Sequence, residues 1–342
     1  MGQIAERPPL NAPEQLPGQP PAFHLAEWSA IELVRVEQAL SKWVVSPASP
    51  PVPQGLADLV AAMRYAVLDG GKHLRPLLVL AACEAVSGYA PAALRAACAV
   101  ELIHAYSLVH DDMPCMDNDI LRRGKPTVHV QFGEAQALLA GDALQALAFE
   151  LLTPADSPDS DTISPSLQAR LCRMLAQAAG AHGMAGGQAI DLASVGLPLT
   201  SSQLHDMHRL KTGALLQASV LMGASCGDAG ATAMQALGEY GAALGRAFQV
   251  VDDVLDVTAD SATLGKTAGK DAAHDKPTFV SLMGLGASQD YAQQLLTQAL
   301  SALSRFDALQ ANREQPHGQH PHRQPTTQAL RALANMLINR RH

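Results

Sequence analysis

The chain has 342 residues, enough to bury a substantial core in one large domain or two. Its net charge of -8 argues against a general nucleic-acid-binding protein, because phosphate backbones are bound by an excess of Lys and Arg. Apolar residues make up 48% of the chain and charged residues only 16%, so much of the sequence is expected to pack against other protein.

Residues 1–24 are rich in proline and carry no apolar signal sequence after a basic start. No later run reaches the roughly 18 consecutive apolar residues of a membrane span. The five cysteines are widely spaced and lack a CxxC pattern, so we interpret them as buried thiols in a reducing compartment. The sequence therefore predicts a soluble, cytoplasmic protein without a membrane span.

Apolar residues recur at helical spacing from about residue 25, for example over 31–40 and 94–102, with little strict alternation. We therefore predict a single all-helical domain over 25–342. Proline- or glycine-rich stretches are expected to separate its helices at 47–53, 70–71, 154–165, 180–187 and 227–230. Two polar inserts, 154–165 and the histidine-containing 312–325, are predicted loops.

The segment GGKHLRP at 70–76 is the first candidate anion site. Lys72 and Arg75 are three residues apart, so they are expected to share a helix face beside a flexible glycine turn. Backbone N–H groups at a helix start also favour anions. Taken alone, the pattern is a moderate signal, because Lys and Arg near a turn are usually just solvated.

The first aspartate cluster contains Asp111, Asp112 and Asp117. On a helix, His104 lies on the same face as Asp111. Pro114 interrupts that helix, so Asp117 can come round to share ions with Asp111. Hard oxygen ligands on one wall suit magnesium, which bridges carboxylates to substrate phosphates.

Three cations follow directly, namely Arg122, Arg123 and Lys125. A diphosphate neutralised by both metal and guanidinium groups explains this local reversal of charge. For an isolated DDxxxxD motif, a solvated helix end is the alternative interpretation.

The second cluster is a polar stripe on an otherwise apolar helix: Gln249, Asp252, Asp253 and Asp256. Carboxylates in such surroundings are costly unless they are paired or metal-bound. Ordinary salt bridging is the alternative. Basic residues that could supply the compensating charge follow: Lys266, Lys270 and Lys276.

Two further segments are weak signals by themselves. Lys211 and Thr212 offer a cation and a hydroxyl before an apolar helix. Gly186 and Gly187, followed by Asp191, are more typical of a tight helix crossing than of a ligand site.

Six segments together resemble one family, the short-chain trans-prenyl diphosphate synthases, and most of all its bacterial farnesyl diphosphate synthases. They are GGKHLRP, HAYSLVHDDMPCMDNDILRRGKPT, GDAL, GGQAIDL, KTGAL and FQVVDDVLDVTADSATLGKTAGKD. The resemblance covers about residues 25–342 in the expected order. It implies an isoprenoid synthase-type helical bundle around a deep central cavity, usually a homodimer.

The resemblance also implies roles. Magnesium would be held between the aspartate motifs and the allylic diphosphate by Asp111, Asp112, Asp117, Asp252 and Asp256, with Asp253 inside the second motif. The allylic diphosphate would be bound by Arg122, Lys211, Thr212, Gln249 and Lys266. Isopentenyl diphosphate would be bound by Lys72, Arg75, His104 and Arg123.

Two positions depart from the family pattern, since His73 replaces a common Arg and Asn118 interrupts an acidic run. Because His titrates near neutrality, His73 is expected to weaken isopentenyl diphosphate binding or make it pH-dependent. Tyr106 and Ser107, just before the first motif, would form the floor of the product cavity and stop growth at fifteen carbons. Geranylgeranyl diphosphate synthase is the near alternative, and a class I terpene cyclase or a non-catalytic partner subunit are more distant ones.

Overall fold

The structure is a computed structural model that describes residues 23–44, 53–68, 70–155, 162–197, 199–258, 278–312 and 327–340. These residues form fourteen α-helices, one π-helical turn and one short two-stranded hairpin. The all-helical prediction is confirmed. The hairpin was not predicted, and it is the one strand pairing in the described residues.

The first half of the chain contains α1 (Leu25–Trp43), α2 (Gln54–Leu68), α3 (Leu74–Ala85), α4 (Ala90–Asp111), α5 (Val128–Phe132) and α6 (Glu134–Leu152). The antiparallel hairpin of β1 (Leu121–Arg122) and β2 (Lys125–Pro126) lies between α4 and α5. The hairpin therefore directly follows the first aspartate cluster.

The second half contains α7 (Pro165–Ala179), α8 (Met184–Ala193), α9 (Ser201–His208), the π-helical turn Arg209–Gly213 and α10 (Ala214–Ser225). It continues with α11 (Ala231–Thr258), α12 (Phe279–Met283), α13 (Leu285–Ala311) and α14 (Gln328–Ile338). The second aspartate cluster lies near the end of α11, the longest helix in the described residues.

Two large apolar clusters hold the bundle together. One surrounds α11 and includes α13 and α14, whereas the other surrounds α4 and includes α6 and α7. Residues of α3 and α10 belong to both clusters, so these two helices join them. The two helices that carry aspartates are thus fixed in a common core, which is the condition for a site shared between them.

Helix boundaries confirm most of the predicted breaks, including 70–71 and 227–230. The break at 180–187 is shorter than predicted, because α8 already begins at Met184 and contains Gly186 and Gly187. Residues 156–161 and 313–326, most of the two predicted loop inserts, lie outside the described residues.

The cysteines differ from expectation in one respect. All five are free, but Cys115 is exposed and Cys172 is only half-buried. The prediction of five buried thiols was therefore wrong for these two residues, which lie in a surface turn and on an amphipathic helix.

Two described helices, α4 and α6, have the length and mean hydropathy of a membrane span, although the sequence was expected to contain none. The apolar window of α4 is 72% buried inside the protein, so core packing accounts for its hydropathy. The window of α6 is only 39% buried, and Leu138 and Leu139 are about half exposed.

Candidate active site

The first aspartate cluster lies where α4 ends, at Asp111. The chain then folds back, so that the backbone N–H of Asp117 donates to the carbonyl of Asp111 at 2.9 Å. The backbone N–H of Asp119 reaches the carbonyl of Asp112 at 3.1 Å in the same way. The predicted return of Asp117 towards Asp111 after Pro114 is therefore confirmed.

Asp111 and Asp112 have different electrostatic partners. Burial raises the pKa of Asp111 to about 6; Asp117 adds to this effect, while Lys211 opposes it. Asp112 is almost fully buried; its two carboxylate oxygens share the Nε–H of Arg122, at 2.8 and 2.9 Å, and Nη2 of Arg122 donates to one of them at 2.5 Å. Burial still raises the pKa of Asp112, against the lowering effect of Arg122.

The second cluster lies on α11, where its three carboxylates have different surroundings. Asp252 is partly exposed and forms an ion pair with Arg340, whose guanidinium also lies 4.7 Å from the centre of the Phe248 ring. Asp253 is buried and accepts hydrogen bonds from the Gln249 amide at 2.9 Å and from a backbone N–H at 2.8 Å. Asp256 is also buried.

Lys211 and Thr212 lie in the π-helical turn. Nζ of Lys211 is 2.5 Å from a carboxylate oxygen of Asp191, and the Thr212 hydroxyl donates to Gln249 at 3.3 Å. Asp191 is the counter-ion of this lysine, although its sequence motif is only a weak signal. Because Lys211 also acts on Asp111, the turn links the two aspartate clusters.

Gly187 lets α8 approach this turn. A Cβ atom at Gly187 would lie 2.1 Å from the backbone nitrogen of Lys211, a distance that no side chain can adopt without movement of the backbone. The tight helix crossing predicted for this segment is confirmed, and it places Asp191 beside Lys211.

A second group of cations surrounds the turn before α3. Arg123 donates to the carbonyl of Gly70, and the charges of Arg123 and Asp252 both act on Arg75. Lys72 is exposed and precedes the first residue of α3, so the prediction that it shares a helix face with Arg75 was wrong.

His104 and Arg75 belong to the same group. Burial, reinforced by the charge of Arg75, holds the pKa of His104 well below its usual range. Burial also lowers the pKa of Arg75, while Glu101 and Asp252 oppose this effect. The structure therefore brings these two residues and Arg123 close together, as the sequence predicted.

His73 does not face this cation group as an open side chain. Its imidazole is buried, with Nδ1 at 2.9 Å from Oε1 of Glu101. Glu101 was not among the predicted site residues, although an isolated carboxylate in the long apolar sequence of α4 is a recognisable signal.

The carboxylates suit magnesium by type. No group of three or more His, Cys, Asp or Glu residues placed to hold a metal ion occurs in the described part of the chain. Magnesium does not require such a group, because it keeps several waters and binds through one or two carboxylates together with substrate phosphates. The Asp111–Asp117 pair offers that kind of donor set. Lys266, which was predicted to bind the allylic diphosphate, lies outside the described residues.

Tyr106 is a residue of α4 whose neighbours lie on α4 and α6. Its ring packs edge-on against His110, with ring centres 5.7 Å apart, and its hydroxyl forms a hydrogen bond with Gln145. His110 in turn contacts the carbonyl of Leu138 at 3.1 Å. Ser107 instead donates to the backbone carbonyl of its own helix at 2.9 Å, so Tyr106 is the larger and better-anchored of the two predicted floor residues.

Comparison with known proteins matches residues 57–311 to the polyprenyl synthetase family. The chain belongs to this family. It is 50% identical over 281 residues to a probable farnesyl diphosphate synthase of Sinorhizobium fredii, covering 81% of each chain. It is 44% identical to the farnesyl diphosphate synthase of Escherichia coli, over 90% of this chain and 95% of that one.

Solved structures agree with this assignment. A geranyltransferase of Helicobacter pylori, complexed with magnesium and isoprenyl diphosphate, matches with a TM-score of 0.76 and 34% identity over 93% of this chain and 99% of that one. An FPP/GFPP synthase of Zymomonas mobilis matches with a TM-score of 0.75 and 38% identity, over 92% and 98% of the two chains. The all-α isoprenoid synthase fold is therefore confirmed.

We expect Gly187→Ala to destabilise this polyprenyl synthetase by about 1–3 kcal/mol, because the added methyl group overpacks the crossing of α8 with the π-helical turn. Chemical denaturation measures the free energy of unfolding. The matched control is Gly286→Ala in α13, where an added Cβ meets nothing within 4 Å. Equal stability of the two variants would contradict the tight crossing.

Proposed function

We propose that this polyprenyl synthetase condenses isopentenyl diphosphate head-to-tail with dimethylallyl and geranyl diphosphates to give farnesyl diphosphate. The observation that carries the proposal is the electrostatic coupling of two cation groups with two aspartate clusters, in which Lys211 acts on Asp111 and Asp252 acts on Arg75. One diphosphate can be bound near Arg122 and Lys211, and another near Arg75 and Arg123. Relatives named farnesyl diphosphate synthase support the same substrates.

The reaction begins when the allylic C–O bond breaks and its electron pair leaves with the diphosphate. Magnesium held by Asp111, Asp112, Asp117, Asp252 and Asp256 would neutralise charge on that leaving group. Arg122, Lys211 and Lys266 would stabilise the same charge through the protein, with Thr212 and Gln249 orienting the group.

The double bond of isopentenyl diphosphate then attacks the allylic carbon. Lys72, Arg75, His104 and Arg123 would hold its diphosphate so that the reacting carbons stay close, which supplies much of the rate enhancement. A proton leaves the resulting cation, and the released diphosphate is the natural base. No activated Ser, Cys or His nucleophile is needed.

A geranylgeranyl product is the second candidate. The chain is 50% identical over 250 residues to the large subunit 1 of a heterodimeric geranylgeranyl pyrophosphate synthase of Arabidopsis thaliana. A class I cyclase needs only one diphosphate subsite, and a silent partner subunit needs no intact aspartate clusters. Both readings therefore fit the site less well than a synthase does.

We also propose a homodimer in the cytoplasm. The exposed apolar residues Val130, Leu138 and Leu139 form a face on α5 and α6 suited to a second copy of the chain. The absence of any disulfide among the five cysteines, all of which are described, supports a reducing compartment.

We expect Asp111→Asn and Asp252→Asn each to lower kcat on the order of a hundred- to a thousandfold, since each removes charge from the proposed metal site. Product formation from isopentenyl and geranyl diphosphates, with and without added magnesium, is the measurement. Asp290→Asn on the exposed face of α13 is the control. Magnesium-independent turnover by the unaltered enzyme would refute the proposed mechanism.

We expect Tyr106→Ala to shift the product from fifteen to twenty carbons, because the variant removes the ring that we propose as the cavity floor. Tyr106→Phe, which keeps the ring but loses the Gln145 hydrogen bond, serves as the matched control. Chromatography of the dephosphorylated products gives the chain length. An unchanged product from Tyr106→Ala would place the floor elsewhere.

We expect light scattering to give twice the chain mass of 35.9 kDa for the unaltered protein. Leu139→Asp should increase the monomer fraction, because it places a charge in the proposed apolar interface. Ile31→Asp, a change at a similarly exposed apolar residue on α1, is the control. A monomeric unaltered protein would rule out the dimer.

A further inference from the structure

A buried hydrogen-bonded pair, His73 with Glu101, lies beside the turn that carries Lys72. His73 and Glu101 have side chains only 2% and 7% exposed, and Nδ1 of His73 is 2.9 Å from Oε1 of Glu101. His73 is also the N-cap residue of α3, with a left-handed backbone at φ 40°. Since this conformation is unfavourable for a residue with a side chain, an anchoring contact is needed to hold the turn in place.

Glu101 is the common counter-charge of the group. Burial alone would raise its pKa, yet the hydrogen bond from His73, together with the charge of Arg75, lowers the pKa to about 2. The carboxylate is therefore ionised at neutral pH. Three basic groups, one from the turn before α3, one from α3 and one from α4, converge on it.

The contact determines where the neighbouring cations lie. His73 follows Lys72 directly and precedes Arg75 by two residues, so anchoring the imidazole under α4 fixes the short turn between the two cations. Glu101 itself is three residues before His104 on α4, which ties the turn to the helix of the first aspartate cluster. One carboxylate thus links every element that supplies this cation group apart from the hairpin.

We propose that Glu101 is a positioning residue for the isopentenyl diphosphate subsite and acts through the side chain of His73. The inference rests on the proposed function, because that function assigns this substrate to the surrounding cations. Glu101 does not contact the diphosphate. It sets the turn from which Lys72 and Arg75 reach the substrate.

The test varies each substrate in turn at saturating concentration of the other. His73→Ala and Glu101→Gln should each raise KM for isopentenyl diphosphate about tenfold, the effect of losing a charge-assisted buried hydrogen bond. The KM for geranyl diphosphate and kcat should change less than about twofold. Glu150→Gln, at an exposed carboxylate on α6, is the control.

Two further variants distinguish positioning from general damage. His73→Arg places a hydrogen-bond donor opposite Glu101 again and should recover most of the affinity that His73→Ala loses. The KM for isopentenyl diphosphate of the double variant His73→Ala with Glu101→Gln should not exceed the higher of the two single-variant values. The reason is that both changes remove the same interaction. If Glu101→Gln fails to fold, the two His73 variants still decide the question.

Three results would overturn the inference: an unchanged KM for isopentenyl diphosphate, an equal rise in KM for both substrates, or no recovery by His73→Arg. Each can be read only if the unaltered enzyme condenses the substrates. If it does not, the proposed function fails, and the assigned subsite fails with it.

Discussion

Burial of charge inside an apolar helical bundle is the constraint on which this site depends. The aspartates and Glu101 lie on helices whose other faces form the two cores, where an isolated carboxylate would be costly. Each of four carboxylates therefore has a basic partner from elsewhere in the chain: Asp112 with Arg122, Asp191 with Lys211, Asp252 with Arg340, and Glu101 with His73. The packing of these helices therefore depends on the pairing of the charges that they bury.

The same pairing suits a diphosphate enzyme. Before substrate binds, protein carboxylates neutralise the cations that the reaction needs, as Asp191 does for Lys211. A bound diphosphate and its metal ions bring negative and positive charge together, so both kinds of side chain can exchange partners without a large change in net charge. The His73–Glu101 pair is different, because both side chains are almost fully buried and neither is assigned to direct contact with a diphosphate.

Much of this could be predicted from the sequence, because helical periodicity and glycine breaks depend on local chemistry. The face shared by His104 and Asp111 is one example, and the polar stripe of α11 is another. Other features depend on contacts between distant segments. The π-helical turn that contains Lys211 has no clear local signal, and neither has the early start of α8. The start of α3, directly after His73, likewise leaves Lys72 outside the helix.

The ion pair between Arg340 and Asp252 connects the end of α14 to the second aspartate cluster. Any ligand that takes Asp252 away from Arg340 must offset the loss of this contact. Conversely, a change that weakens the packing of α14 removes Arg340 from Asp252 and leaves this carboxylate more available to a ligand. Docking of the C-terminal helix and occupancy of Asp252 are therefore reciprocally coupled: each changes the free energy of the other by the same amount.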